Sequence, residues 1–311
     1  MAALLLLPGA ARAAVTLAVG RSPGSLPIYI AQEKGWFAEE GVDVQLQECK
    51  FGKLCLELML GGKAMLSTSS DLPLAVAAIQ QRHFLVVATL NTNRVDTQII
   101  TRRSSAIHAV TDLPGRTVGT FVGTAAHHVL DTRLRLDGVD PAQVKVVNLQ
   151  PDEVRTRMLA GTLDAVAVFE PFAYQTTQAL GAEAVVLTDR RIYTQTWNLV
   201  AAEAPKGPSE AQLQAVLRAL DRASRQIKQE PAYAKRLLKE RLLLNTELVE
   251  RMWPSLNFSL RLDQSLINSM ESSGRWALRR GLVQGNPPDL LPFFDVKPMQ
   301  KIDARRVTVV K

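Results

Sequence analysis

The stretch Thr111 to Leu136, TDLPGRTVGTFVGTAAHHVLDTRLRL, decides the fold. Arg116 to Phe121 is apolar and β-branched enough for a strand, Val122-Gly123-Thr124 makes a short turn, and Ala125 to Leu136 repeats apolar residues at helical spacing. A strand therefore runs directly into a helix. The first N–H groups of such a helix have no intrahelical partners, and Thr124 stands where an N-cap hydroxyl belongs. The positive end of the helix dipole lies at the same place, so the junction suits a sulfonate, carboxylate or phosphate. An ordinary capped helix carries the same signature, and the rest of the chain has to decide between the two.

Upstream, the same unit recurs. Val15 to Val19 is a strand followed by the polar turn Arg21 to Ser25 and a helix from Leu26, with Pro27 in its first turn. Val42 to Gln47 is a second strand, and Gly52 to Leu60 a helix with Leu54 and Leu58 on its apolar face. Ala64 to Thr68 is a third strand, which delivers Ser69-Ser70-Asp71 to another helix start. In open α/β sheets ligands gather at the carboxyl ends of strands, where these turns lie. Phe84 to Leu90 is a strand, Asn91 to Arg94 a polar break, and Gln98 to Thr101 the next strand, a pattern that reads as a crossing between two domains.

Beyond the opening stretch come strands at Val144 to Leu149, Ala165 to Phe169 and Ala184 to Leu187, helices at Pro151 to Leu159 and Tyr174 to Leu180, and a return segment from Tyr193 to Val200. From Pro208 the pattern is helical. Ser209 opens a helix with Leu213, Val216, Leu217, Leu220 and Ile227 on one face, and Pro231, Pro254 and Gly274 punctuate three more. The last thirty residues, rich in proline, read as extended and irregular.

Composition excludes several classes. With 311 residues, 22% charged and 47% hydrophobic, the chain can bury a large core or two, and long disorder is not expected. The net charge of +7 lies in the C-terminal third: residues 209–311 hold 18 basic and 11 acidic residues, against 19 of each before them. There Arg218, Arg222 and Arg225 are interleaved with Asp221 and Glu230, which reads as a solvated helix face, and no nucleic-acid motif accompanies it. Residues 1–13, an apolar run ending in Ala11-Arg12-Ala13, read as the remnant of a signal peptide, and no later run is long enough to span a membrane. The expectation is an exported, soluble protein. Cys49 and Cys55 would form one disulfide in an oxidising compartment or stay two thiols in the cytosol, and neither they nor the four histidines make a metal pattern. No cofactor, metal or catalytic residue is expected.

Several segments taken together resemble a known family. They are Leu26 to Ala31 with Glu33-Lys34-Gly35-Trp36-Phe37 and Glu40-Gly41-Val42, Gly61 to Ala64, and Ser70-Asp71-Leu72-Pro73. Asp112 to Gly119, Gly123 to His127, and Leu163-Asp164-Ala165-Val166-Ala167-Val168-Phe169-Glu170-Pro171-Phe172 complete the set. In this order they resemble the periplasmic substrate-binding proteins of ABC transporters, in the nitrate, sulfonate and taurine branch with its thiamine-precursor-binding relatives. Two positions depart from the usual pattern: Met65 stands where the family has Asp, and Phe169 where it has Trp.

The resemblance implies a two-lobed α/β architecture, the type II periplasmic binding protein fold with two hinge crossings. One lobe would comprise residues 14–95 and 198–311, the other 96–197. It implies ligand contacts from Ser22 and Ser25 in one loop and from Ser70 and Asp71 in another. Gly123, Thr124, Ala125 and His127 would lie at the opposing helix start, with Glu170 after its strand and Trp197 near the return hinge. It implies a monomer that captures an aliphatic sulfonate, taurine or nitrate and hands this small-molecule solute to an ABC transporter permease in the membrane. The alternatives are a thiamine-pyrimidine-precursor binder and an enzyme on the same fold, although the cysteine-rich motif of such enzymes is missing. Because carboxylates at Asp71 and Glu170 would repel a bare anion, a zwitterion such as taurine or an amine-bearing heterocycle is favoured; each also suits a structural role as a helix cap.

Overall fold

A computed structural model describes residues 14–94, 97–187 and 193–310, so the signal-peptide reading of residues 1–13 falls outside it. The chain opens with β1 (Val15–Gly20), α1 (Leu26–Glu33), α2 (Trp36–Glu39), β2 (Val44–Cys49), α3 (Gly52–Leu60), β3 (Leu66–Ser70), α4 (Asp71–Ile79) and β4 (Leu85–Asn93). It continues through β5 (Thr97–Arg102), β6 (Thr117–Thr120), α5 (Ala125–Leu136), β7 (Lys145–Asn148), α6 (Glu153–Leu159), β8 (Ala165–Phe169), α7 (Phe172–Leu180) and β9 (Ala184–Val186). It closes with β10 (Gln195–Ala201), α8 (Glu210–Gln229), α9 (Pro231–Leu242), α10 (Thr246–Met252), β11 (Leu256–Arg261), α11 (Gln264–Arg279) and α12 (Lys297–Asp303).

Two sheets result. The first runs β11-β4-β10-β3-β1-β2 and the second β7-β6-β8-β5-β9. In the second sheet β6 lies between β7 and β8, parallel to both, while β5 runs antiparallel to β8 and β9. Side chains alternate across it. Ile99, Val118, Ala165 and Ala167 pack with Leu130 and Leu134 of α5 on one face, and Ile100, Val166 and Val168 pack with Val154, Met158 and Ala173 on the other. A strand covered on both faces has to be apolar throughout, which is why AVAVF reads as an unbroken run.

The sequence locates most elements and misses five features. Asn91 and Asn93 do not break the chain: they continue β4, where they pair with β10 and β11. β11 falls in a region that reads as helical, yet Leu256, Phe258 and Leu260 alternate with polar residues, and Phe258 and Leu260 are buried. Gly274 does not punctuate a helix but lies inside α11, where a Cβ would sit 3.3 Å from Ile79 Cδ1. The proline-rich tail contains α12, with Pro298 in its first turn, where a missing N–H costs nothing. On α3 the buried face is Cys55, Leu56 and Met59, whereas Leu54 is exposed.

α8 forms as expected. Ser209 and Gln212 make a reciprocal capping box, and Leu213, Val216, Leu217, Leu220 and Ile227 are buried. Its basic face is more than solvated: Arg218 Nε reaches Glu40 at 2.5 Å, and Arg222 pairs with Glu39 while lying 4.2 Å from the Trp36 ring centroid. These contacts fasten α8 onto α2. Cys49 and Cys55 are joined as a disulfide.

Candidate functional site

A cavity of about 40 Å³, enough for a few waters or a small polar group, lies where loops from both sheets meet. Arg21 and Ser22 follow β1, Phe51, Gly52 and Lys53 follow β2, and Ser70 ends β3. From the other sheet, Thr124 and Ala125 follow β6, Phe169 ends β8 and Glu170 comes directly after it. Pro73, Gln195 and Trp197 complete the lining. Carboxyl ends of parallel strands thus face one another across the space.

Two helices begin at this cavity. Gly52 is the first residue of α3 and Ala125 the first of α5, and neither helix has a side-chain hydrogen bond at its cap. Their leading N–H groups and positive dipole ends therefore converge on the same space. Arg21 and Lys53 stand exposed at its mouth, and among the described residues neither makes an ion pair. The arrangement favours negative charge.

Glu170, the carboxylate in the lining, does not oppose this. Its Oε1 accepts from Gln98 Nε2 at 3.1 Å and from Arg251 at 2.8 Å, and its Oε2 accepts from the Tyr174 backbone N–H at 2.8 Å. Burial pushes its pKa up, while the Tyr174 N–H and Arg251 pull it back. Ionised, it is neutralised by Arg251; protonated, it carries no charge. Both states leave the cavity net positive.

Six of the ten residues that the resemblance singles out line the cavity: Ser22, Ser70, Thr124, Ala125, Glu170 and Trp197. The other four do not. Ser25 is fully buried, donates to Gly20 O at 2.7 Å and accepts from Trp197 Nε1 at 3.0 Å, so it anchors the tryptophan instead. Asp71 is fully buried behind the wall, where the Tyr193 and Ser269 hydroxyls bond to it and burial raises its pKa. His127 turns away from the cavity towards Trp276, Asp131 and Arg280. Gly123 supplies the turn, at φ +75°, and a Cβ there would lie 3.3 Å from Lys53 Nζ.

Thr124 occupies the N-cap position, but its hydroxyl donates back to Phe121 O at 2.7 Å and caps nothing. Trp197 is a wall built on glycines: a Cβ at Gly24 would come within 2.5 Å of its Cγ, and one at Gly52 within 2.8 Å of its Cη2. Arg21, Phe51, Gly52, Lys53, Pro73 and Gln195 are the lining residues that sequence reasoning did not select, and Phe169, where the family has Trp, lines the cavity too. The signal for Lys53 was its place in the first turn of a helix that follows a strand, the same logic that selected Thr124.

Residues 22–234 match the family described as NMT1/THI5 like. The taurine-binding periplasmic protein of Escherichia coli (strain K12) is 28% identical over 180 residues, 57% of this chain and 53% of that protein. The chain thus spans about half the length of this curated relative. Among solved structures, the alkanesulfonate-binding protein from Xanthomonas axonopodis pv. citri bound to MOPS superposes with a TM-score of 0.76 at 18% identity, over 91% of this chain and 98% of that one. A mutant of the desulfurization enzyme DSZB in complex with biphenyl-2-sulfinic acid superposes at 0.72 and 16% identity, over 94% and 99%. The chain belongs to the NMT1/THI5-like family and has the two-lobed α/β fold of the periplasmic sulfonate-binding proteins.

Proposed function

We propose that this protein is the solute-binding component of an ABC importer and captures a small organic sulfonate between its two lobes. The observation that carries this reading is a cavity lined by Arg21 and Lys53 and by the starts of α3 and α5, with its carboxylate already engaged by Arg251. The names of the taurine-binding relative and the alkanesulfonate-binding neighbour support it. The lobes would comprise roughly the two sheets, residues 14–95 with 198–311 and residues 96–197. The protein would act in the periplasm as a monomer and pass its solute to a membrane permease. Among the described residues no helix is long and apolar enough to cross a membrane, which fits that role.

Because protein donors already occupy both oxygens of Glu170, the cavity has little left to hold an ammonium. An aliphatic sulfonate therefore fits better than taurine.

A thermal-shift panel of butanesulfonate, taurine, nitrate, bicarbonate and a thiamine pyrimidine precursor tests the assignment. A ligand at one hundred times its Kd stabilises the folded state by about 2.7 kcal/mol. Butanesulfonate is expected to raise the midpoint more than taurine. A response confined to the pyrimidine would move the protein to the thiamine-precursor reading.

A further inference from the structure

The disulfide between Cys49 and Cys55 closes a short loop, with a sequence separation of 6 and a Cα–Cα distance of 5.6 Å. That loop supplies Phe51, Gly52 and Lys53 to the cavity lining. It also reaches the other lobe. The Phe51 ring stacks on Phe121 beyond the end of β6, with centroids 6.2 Å apart and planes 20° apart, and Phe121 in turn packs against Phe169 and Phe172. Lys53 Nζ lies 3.3 Å from where a Cβ on Gly123 would be, beside the start of α5. Gly52 between them is seated so closely that a Cβ would lie 2.8 Å from Trp197 Cη2 and 3.0 Å from Ser69 Cα. Phe51 is the N-cap residue of α3 and cannot cap it with a side-chain hydrogen bond.

The loop enters α3 without a side-chain cap, so no side-chain hydrogen bond fixes it at the helix start. The covalent link supplies that restraint. We infer that the Cys49–Cys55 loop is a clasp between the lobes, in which the disulfide is the positioning element and Phe51 and Lys53 are the groups that close the cleft over an anion. Phe51 joins the aromatic cluster of the opposite lobe, and Lys53 brings its ammonium to the start of α5. Freed of the link, both side chains would have to be ordered on closure, and ordering two long side chains weakens binding by roughly tenfold. The clasp rests on the proposed anion capture for its effect on affinity, but not for its contact between lobes.

Two measurements on the full chain test this. In the unliganded protein, hydrogen exchange is followed in the Cys49→Ser/Cys55→Ser double variant and in Phe51→Ala, which keeps the disulfide. Both are expected to speed exchange at residues 121–126 of the opposite lobe. Faster exchange confined to residues 49–60 in both variants would overturn the clasp. Titration with butanesulfonate then compares the cysteine variant, Lys53→Gln and their combination. Each alone should raise Kd about tenfold, and the combination should fall short of the product, because the disulfide acts partly through Lys53. Unchanged affinity in the cysteine variant, or fully multiplicative effects, would refute the positioning role. If the unaltered protein binds no anion at all, the sulfonate reading fails, and the exchange experiment still judges the clasp.

Discussion

Glu170 sets the electrostatics of the cavity because its charge is spent inside the protein. Replacing it with Gln removes one partner of Arg251 and weakens the acceptor for the Tyr174 N–H, so stability in urea should fall by about 1–3 kcal/mol. Butanesulfonate affinity should persist in this variant. Its abolition would show that the carboxylate touches the ligand directly. Gly24 tests the tryptophan wall. Alanine there would force Trp197 aside from a 2.5 Å clash, with an expected loss of about 1–3 kcal/mol and a shift in tryptophan emission. At this scale the sequence was legible for residues whose role is set by the local chain, such as Thr124 and Ala125 at a helix start. It was opaque where a partner far along the chain decides. Arg251 neutralises Glu170 from 81 residues away, and Ser25 turns from the cavity because Trp197, 172 residues on, takes its hydroxyl.

Away from the cavity, α5 meets α11 and the residue that follows it. Trp276 Nε1 donates to Asp131 at 2.9 Å, Arg280 Nε reaches the same carboxylate at 2.8 Å, and the rings of His127 and His128 lie 5.0 and 4.9 Å from the Trp276 ring. Burial, helped by Arg280 and His128, pushes His127 down to about 4, and burial with Arg279 does the same for His128. Both are therefore neutral at pH 7. The unfolded chain takes up protons near pH 6.5 and the folded chain only near pH 4, so stability is lost as pH falls through that window. Burial raises Asp71 and Asp131, so these carboxylates favour the folded state on acidification and act the other way. The His127→Gln/His128→Gln variant isolates the histidine contribution: its stability should fall less than that of the unaltered chain between pH 6.5 and 4. Equal pH profiles would contradict the assignment. Periodicity revealed α5 to the residue, since its apolar face is local. β11 was hidden because its strand character depends on pairing with β4 across the first sheet, and its six residues follow a helix and a proline.

For the whole molecule, the two sheets and the cavity between their strand ends follow from repeated strand, polar turn and helix units, a pattern plain in the sequence. Which charges face the cavity does not follow from it, because that depends on how the loops of one lobe meet the other. The preference for a zwitterion rested on Asp71 and Glu170 facing the ligand. Asp71 is buried and Glu170 is held by Arg251, which is why we propose a simple sulfonate over a zwitterion. Calorimetric titration of the full chain with butanesulfonate tests this most directly. The account predicts one site per chain, with affinity lowered at least tenfold in both Arg21→Gln and Lys53→Gln and little changed in Glu170→Gln. A folded protein that binds no sulfonate, or whose affinity is indifferent to both cations, would contradict it.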